Sequence, residues 1–345
     1  MNKDTQKGLT KKYYSGYIDC DRKSDYSKRH YKGKFFSIYF GASRKGKSNV
    51  TYGIQDIKGN SIEKECREAI IKTNSLDNAI KVLDLISSAL TLLKAELHEV
   101  DITSILPFST EDRKLISQEL MLEEEMVGSR VYCIESQLLL ACQIACKASF
   151  KMDYCNALLK YQLGNSICPI DEIDVSPFHS PYYRLSRFKF DCARFAYAII
   201  AFYSVIEELG LEIRASEKKP SFINGEWNPK VREDLENRLT EAGIDPSEVV
   251  TWNLRSTPTR IERYLRENGK LRPIKKTSWA RANVRDTEIE LIDAIALVSN
   301  LRSSISSHKF NKSVESLSIY DVSNANYLAR RLLLGAIGLW KPKGK

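Results

Sequence analysis

The apolar positions of this chain recur mostly at spacings of three and four, the period of an amphipathic helix. The most regular stretch is Leu185, Phe188, Cys192, Phe195, Ile199, Phe202, Ile206 and Leu209, with Gly210 after it as a C′ residue. A stripe this long needs other helices, or a second subunit, to cover it. Leu291, Ile295, Val298 and Ile305 mark a second helix. Val322, Ala325, Ala329, Leu332, Ala336 and Leu339 mark a last one starting near Asp321, with Arg330 and Arg331 directed elsewhere, to phosphate or solvent. Upstream, helices are expected over 63–72 and over 76–97, the second with Ile80, Leu83, Ile86 and Leu90 on its packed face. After Pro107, Ser109 or Thr110 caps another. A helix over 130–150 carries Ile134, Leu138, Ala141 and Ala145 on one side, and 153–163 extends it. Asn228 caps a helix with Pro229 at its first position, running to about Ala242 and ended by Gly243, and Pro258 opens a short one through Leu265. The strand pattern is confined to 35–40 and to Val50, Tyr52 and Ile54, read together as a small hairpin. Residues 164–181, with Gly164, Pro169, Pro177 and Pro181, are the best linker. The expected architecture is mostly α. A region over 1–175 with a basic head, a β-hairpin and helices precedes a helical domain over 176–345.

Composition narrows this picture. The 345 residues are 43% hydrophobic, enough for a real core, yet no run of about 18 apolar residues occurs, so no membrane span is expected. The start of the chain is polar and basic, so no secretory leader is expected. Eight cysteines form no C-x-x-C pair and have no histidine at zinc-ligand spacing. They read as small buried hydrophobes in a reducing cytoplasm, with no metal and no cofactor implied. All of the net charge of +9 resides in residues 1–50, which hold thirteen Lys/Arg against four Asp. Tyr13, Tyr14, Tyr17, Tyr26 and Tyr31 are interleaved with those cations. Such a head fits a polyanion, with tyrosines stacked on unpaired bases, or else tyrosines that pin it to the body.

The loop from Gly41 to Ser48 matches G-x-x-x-x-G-K-[ST], with Arg44, Lys45 and Lys47 in it. A phosphate-binding loop of that kind opens a helix, whose N-terminal amides meet the phosphates. Here Asn49-Val50-Thr51-Tyr52-Gly53 is β-branched, aromatic and broken by glycine, and no apolar strand ending in Asp follows. A basic hairpin tip that touches nucleic-acid phosphate is the better expectation, with a nucleotide site on Lys47 and Ser48 as the alternative. A second basic, aromatic segment lies over 270–285, where Lys270, Arg272, Lys275, Lys276, Arg281 and Arg285 surround Trp279. It is the other candidate RNA-contacting surface.

Arg302 falls on the apolar stripe of the Leu291 helix, and a buried guanidinium needs a carboxylate, a phosphate or an interface. His308 stands six positions on, one of only four histidines. Histidine moves protons near neutral pH, and arginine holds a phosphate bidentately while charge builds on it. On one helix, six positions rotate about 600° and rise about 9 Å, so the two side chains need not meet. Two copies about a two-fold axis would bring both pairs into one cleft. The plain alternative is an ion-paired arginine beside an unrelated helix-end histidine. Glu207 and Glu208, at the end of the longest stripe, are the candidate carboxylates for pairing Arg302 or orienting His308; otherwise they are solvated helix-end acids.

Val284-Arg285-Asp286, Asp293-Ala294-Ile295, residues 301–310, Asp321-Val322 and residues 324–334 together resemble the HEPN superfamily. Ile206-Glu207-Glu208-Leu209-Gly210-Leu211 and Trp227-Asn228-Pro229 resemble features of one branch of it. The resemblance covers roughly the last half of the chain and implies a HEPN-like helical bundle there. It implies a metal-independent endoribonuclease acting as a homodimer, a toxin or phage-defence effector, with Arg302 and His308 as the catalytic pair and RNA as substrate. A regulatory or antitoxin partner protein would accompany such a toxin. The family usually has Asn, Asp or His directly after the arginine, whereas this chain has Ser303, which with Glu208 would then support the pair. A catalytically silent HEPN module that binds nucleic acid or a partner protein stays open beside the enzyme.

Overall fold

The computed structural model describes residues 12–19, 30–40, 50–55, 61–94, 106–107, 129–134, 138–168, 188–255, 275–276, 284–305, 314 and 317–340. They are mostly helical, as expected, and they form two compact units. The first spans 1–93 and 98–155, the second 94–97 and 156–345. The division therefore falls at 155/156, ahead of the 164–181 segment.

The first unit holds more β-structure than a hairpin. A seven-stranded sheet runs in the order β2 (His30–Lys32), β3 (Ser37–Phe40), β5 (Ser61–Thr73), β1 (Lys12–Asp19), β7 (Ser129–Ile134), β6 (Leu106–Pro107), with β4 (Val50–Gln55) also on β5. The expected helix over 63–72 is thus the strand β5. Its Glu, Lys and Arg residues favour helix locally, but every residue of it pairs with β1, β3 or β4, and that tertiary term overrides propensity. β3 and β4 are not hairpin partners: they pair with successive lengths of β5, at 69–72 and 61–66. The element that follows the Gly41–Ser48 loop is the strand β4, not the helix a phosphate-binding loop opens. The loop itself, with Arg44, Lys45 and Lys47, lies outside the described residues. Part of the basic head forms the interior strand β1, so it is not a tail there, and Tyr31 is core at 3% exposure rather than a stacking surface.

Two helices of this unit add to the core that Tyr31, Phe36, Ile38 and Ile71 begin. α1 (Leu76–Lys94) buries Leu83, Ile86 and Leu90 as expected. It also buries Ser87, Ser88 and Thr91; the Ser88 hydroxyl donates to the Asp84 carbonyl at 2.7 Å and the Thr91 hydroxyl to the Ser87 carbonyl at 3.1 Å. The helix expected over 130–150 splits into β7 and α2 (Leu138–Ala148). The β-branched and aromatic run Val131-Tyr132-Cys133-Ile134 is drawn into parallel pairing with β1, which removes Ile134 from the helix. The helix proposed after Ser109 and the one after Pro258 lie outside the described residues.

The second unit is built on α4 (Phe188–Glu208), α6 (Leu291–Ile305) and α7 (Ile319–Ala336), which pack on one another. α3 (Met152–Ile167) enters it from Asn156, and α5 (Pro229–Glu241) packs on α6. Expected ends are present. Gly210 has φ +68°, with Leu211 N–H donating to the Ile206 carbonyl at 3.0 Å, and Gly243 has φ +75°. The Asn228 side chain accepts from Lys230 N–H at 3.2 Å. α7 begins at Ile319, and the Asp321 carboxylate accepts from both the N–H and the hydroxyl of Ser318, at 2.8 and 3.0 Å.

Strands unforeseen in the sequence complete this unit. β10 (Val249–Arg255), β12 (Val284–Glu290) and β11 (Lys275–Lys276) form an antiparallel sheet packed on α6 and α7. β8 (Phe222–Ile223) and β9 (Glu226–Trp227) form a two-residue hairpin, in which Asn224 (φ 51°) and Gly225 (φ 81°) supply the left-handed turn. Arg331, expected off the packed face, is 2% exposed and bound through Nε to Glu248 Oε1 at 2.8 Å and through Nη2 to Glu248 Oε2. A guanidinium follows its partner into the interior, and helical phase alone does not show that partner.

Candidate functional site

Two helices bring the candidate site together. Tyr203 and Glu207 stand four apart on α4, one turn on one face. Ser299 and Arg302 stand three apart on α6, again one face. The helices pack on each other, and these four residues meet. Arg302 Nη2 donates to Glu207 Oε1 at 3.3 Å, and its guanidinium carbon lies 5.7 Å from the centre of the Tyr203 ring. Tyr203 O–H donates to Ser299 Oγ at 3.2 Å. Burial pushes the Tyr203 phenol up; the Ser299 hydrogen bond and Arg302 oppose that, and Glu207 and Glu212 add to it.

Arg302 is less buried than its place on the apolar stripe predicts. Its side chain is 41% exposed, because α6 is near its end at this position and its flank turns toward α4 rather than into the core. The pair with Glu207 is therefore a partly solvated one, whose net strength is small. Of the two candidate carboxylates, Glu207 takes Arg302. Glu208 does not: one residue on, it points about 100° away, to α3, where it meets Lys160 Nζ at 2.5 Å and Asn156 Nδ2 at 3.3 Å. The hydrogen bond from Lys160 holds the Glu208 carboxyl below its ordinary range. Support of Arg302 by Glu208 is thereby corrected in favour of Glu207.

Ser303 is exposed on the next position of α6. His308 lies outside the described residues, as does Arg281. Lys275 and Lys276 are brought to the sheet edge as β11, in register with Asp286 and Arg285 of β12, so at least this part of the basic 270–285 segment is strand rather than loop. Trp227 Nε1 donates to the buried Asp293 carboxylate at 2.7 Å. Through that bond the β8–β9 hairpin is tied to the first turn of the helix that carries Arg302.

Tyr203 and Ser299 were not singled out from the sequence. Tyr203 sits in a run of apolar residues that reads as core, and it is core, at 5% exposure. Its signal was available only as its position four before Glu207. Among the described residues, no group of three or more His, Cys, Asp or Glu side chains is placed to hold a metal ion. Five cysteines, Cys142, Cys146, Cys155, Cys168 and Cys192, are buried. No helix among the described residues is long and apolar enough to cross a membrane. No protein-family model, curated protein or solved structure matches the chain.

Proposed function

We propose that the second unit is a metal-independent endoribonuclease of HEPN type, working as a homodimer and serving as a toxin or phage-defence effector. The observation that carries this reading is Arg302 itself: a half-exposed guanidinium, seated on Tyr203 and held by one Glu207 contact, at the end of the helix that leads to His308. One carboxylate contact engages a single N–H of a five-donor fork, which leaves capacity for a phosphate. In this reading His308 takes the proton of a 2′-hydroxyl, and that oxygen attacks the adjacent phosphorus. Arg302 stabilises the charge on the pentacoordinate phosphate, and the 5′-oxygen leaves with a proton. The products are a 2′,3′-cyclic phosphate and a 5′-hydroxyl. The test is cleavage of total RNA and tRNA by the whole protein in EDTA, with product ends mapped. Cleavage that leaves cyclic phosphate and vanishes in Arg302→Ala and in His308→Ala is expected. Undiminished cleavage by both variants refutes the site.

Two observations favour a second reading, a silent HEPN module that binds nucleic acid or a protein. Glu207 already supplies Arg302 with a counter-charge, and Ser303 stands where active members usually have Asn, Asp or His. In that case His308→Ala leaves the biological effect of the protein intact.

A further inference from the structure

We infer that Tyr203 is a positioning residue for Arg302, its ring serving as the floor on which the guanidinium lies. The inference rests on the nuclease reading above and adds to it the part of the site that lies beneath the arginine. Three observations carry it. The guanidinium carbon is 5.7 Å from the ring centre, within the range where a cation is attracted to an aromatic face. The ring is buried, so the floor is fixed by packing rather than by its contact with Arg302. Its hydroxyl donates to Ser299 Oγ at 3.2 Å, one turn before Arg302 on the same helix, so floor and arginine share one support.

An exposed arginine samples many rotamers. Here the ring restrains the plane of the guanidinium while Glu207 Oε1, 3.3 Å from Nη2, restrains its rotation. Neither contact uses the remaining N–H groups of the fork. The arrangement pre-sets the fork before a phosphate arrives, and the entropy of ordering the side chain is not charged to the transition state. Burial also pushes the phenol up, the direction that keeps the anchoring O–H a donor.

Three variants test this: Tyr203→Phe, Tyr203→Leu and Arg302→Ala. Two readouts are taken on the whole protein, the Arg302 Nε–H resonance by NMR and kcat and KM for RNA. Tyr203→Phe keeps the ring, so its Arg302 resonance and kcat stay near wild type even where loss of the Ser299 bond lowers its melting temperature. Tyr203→Leu shifts the resonance and lowers kcat about two- to fivefold, the value of one such contact. An unmoved Arg302 resonance in Tyr203→Leu overturns the inference, as does an equal loss of kcat in the Phe and Leu variants. Wild-type cleavage by Arg302→Ala overturns Arg302 as part of the site and this role with it, while the NMR shift still records whether the arginine sits on the ring.

Discussion

Replacing Glu248 by alanine tests the physics of the second unit most sharply. Glu248 precedes β10 and joins two elements: its carbonyl accepts from Leu291 N–H, the start of α6, at 2.8 Å, and its carboxylate grips Arg331 of α7. Arg331 is fully buried, with its guanidinium carbon 4.7 Å from the Trp340 ring centre. Its Nη1 has no hydrogen-bond acceptor among the described residues, so Glu248 provides the acceptors it has there. Arginine cannot neutralise itself. Glu248→Ala therefore leaves an uncompensated buried charge, which costs about 3–5 kcal/mol, far above the 0–1 kcal/mol of a surface pair. For a unit of this size that lowers the melting temperature by about 6–20 °C. Arg331→Met costs less, because the Glu248 side chain keeps 12% exposure and reaches water. The double variant Glu248→Leu/Arg331→Met is expected to recover much of the loss, since an apolar pair has no charge to desolvate. Urea denaturation of the four proteins, followed by circular dichroism and repeated at high salt, decides it. A cost under about 1 kcal/mol for Glu248→Ala, or a loss that salt abolishes, refutes the reasoning, because either result belongs to a solvated pair.

Other outcomes follow from the same geometry. Gly164→Ala would normally stabilise a helix by about 0.5–1 kcal/mol, but a Cβ there meets the Phe202 ring at 2.5 Å. Overpacking at about 1–3 kcal/mol wins, so thermal unfolding should move down, and an upward shift contradicts the packing of α3 on α4. The Tyr161 phenol is pushed up to about 12, chiefly by burial. Its contribution is whole below the ordinary tyrosine pKa of 10 and is lost as pH rises from there toward 12, because the unfolded chain releases the proton first. Alkaline unfolding should begin in that window and coincide with tyrosinate absorbance, and Tyr161→Phe should flatten the decline while costing stability at neutral pH through the Asn326 acceptor, 2.9 Å away, that it orphans. Glu208, held low by Lys160, acts with the opposite sign: its contribution is present above the ordinary Glu value and fades as pH falls through the lowered one. Acid titration of Glu208→Gln should show a shallower loss than wild type.

Much of the second unit was legible in the chain. The long α4 stripe, the Asn228–Pro229 start and the Gly210 and Gly243 ends are all local signals, written within a turn or two of where they act. So was the suspicion that an acid at the end of α4 meets Arg302. The choice between Glu207 and Glu208 was not, because adjacent helical residues differ by about 100° and only the neighbours decide which side matters. Lys160 claims Glu208, and Arg302 is left to Glu207. The seat of Arg302 was equally hidden, since Tyr203 and Ser299 are 96 residues apart and neither departs from an ordinary helical pattern.

The sequence by itself determined where the main helices of the second unit run and where several of them end, since both depend on residues within one or two turns. Tertiary structure decided what depends on distant partners. It turned Ser61–Thr73 into a strand, because β1, β3 and β4 between them pair with every residue of it, which a lone helix-prone segment does not reveal. It drew Val249–Arg255 and Val284–Glu290 into one sheet, although part of the chain between them carries no strand signal of its own. It buried Arg331 against Glu248, and it left Arg302 half open above Tyr203. In each case the local pattern sets a periodicity, while burial and pairing depend on which surface arrives from elsewhere in the chain.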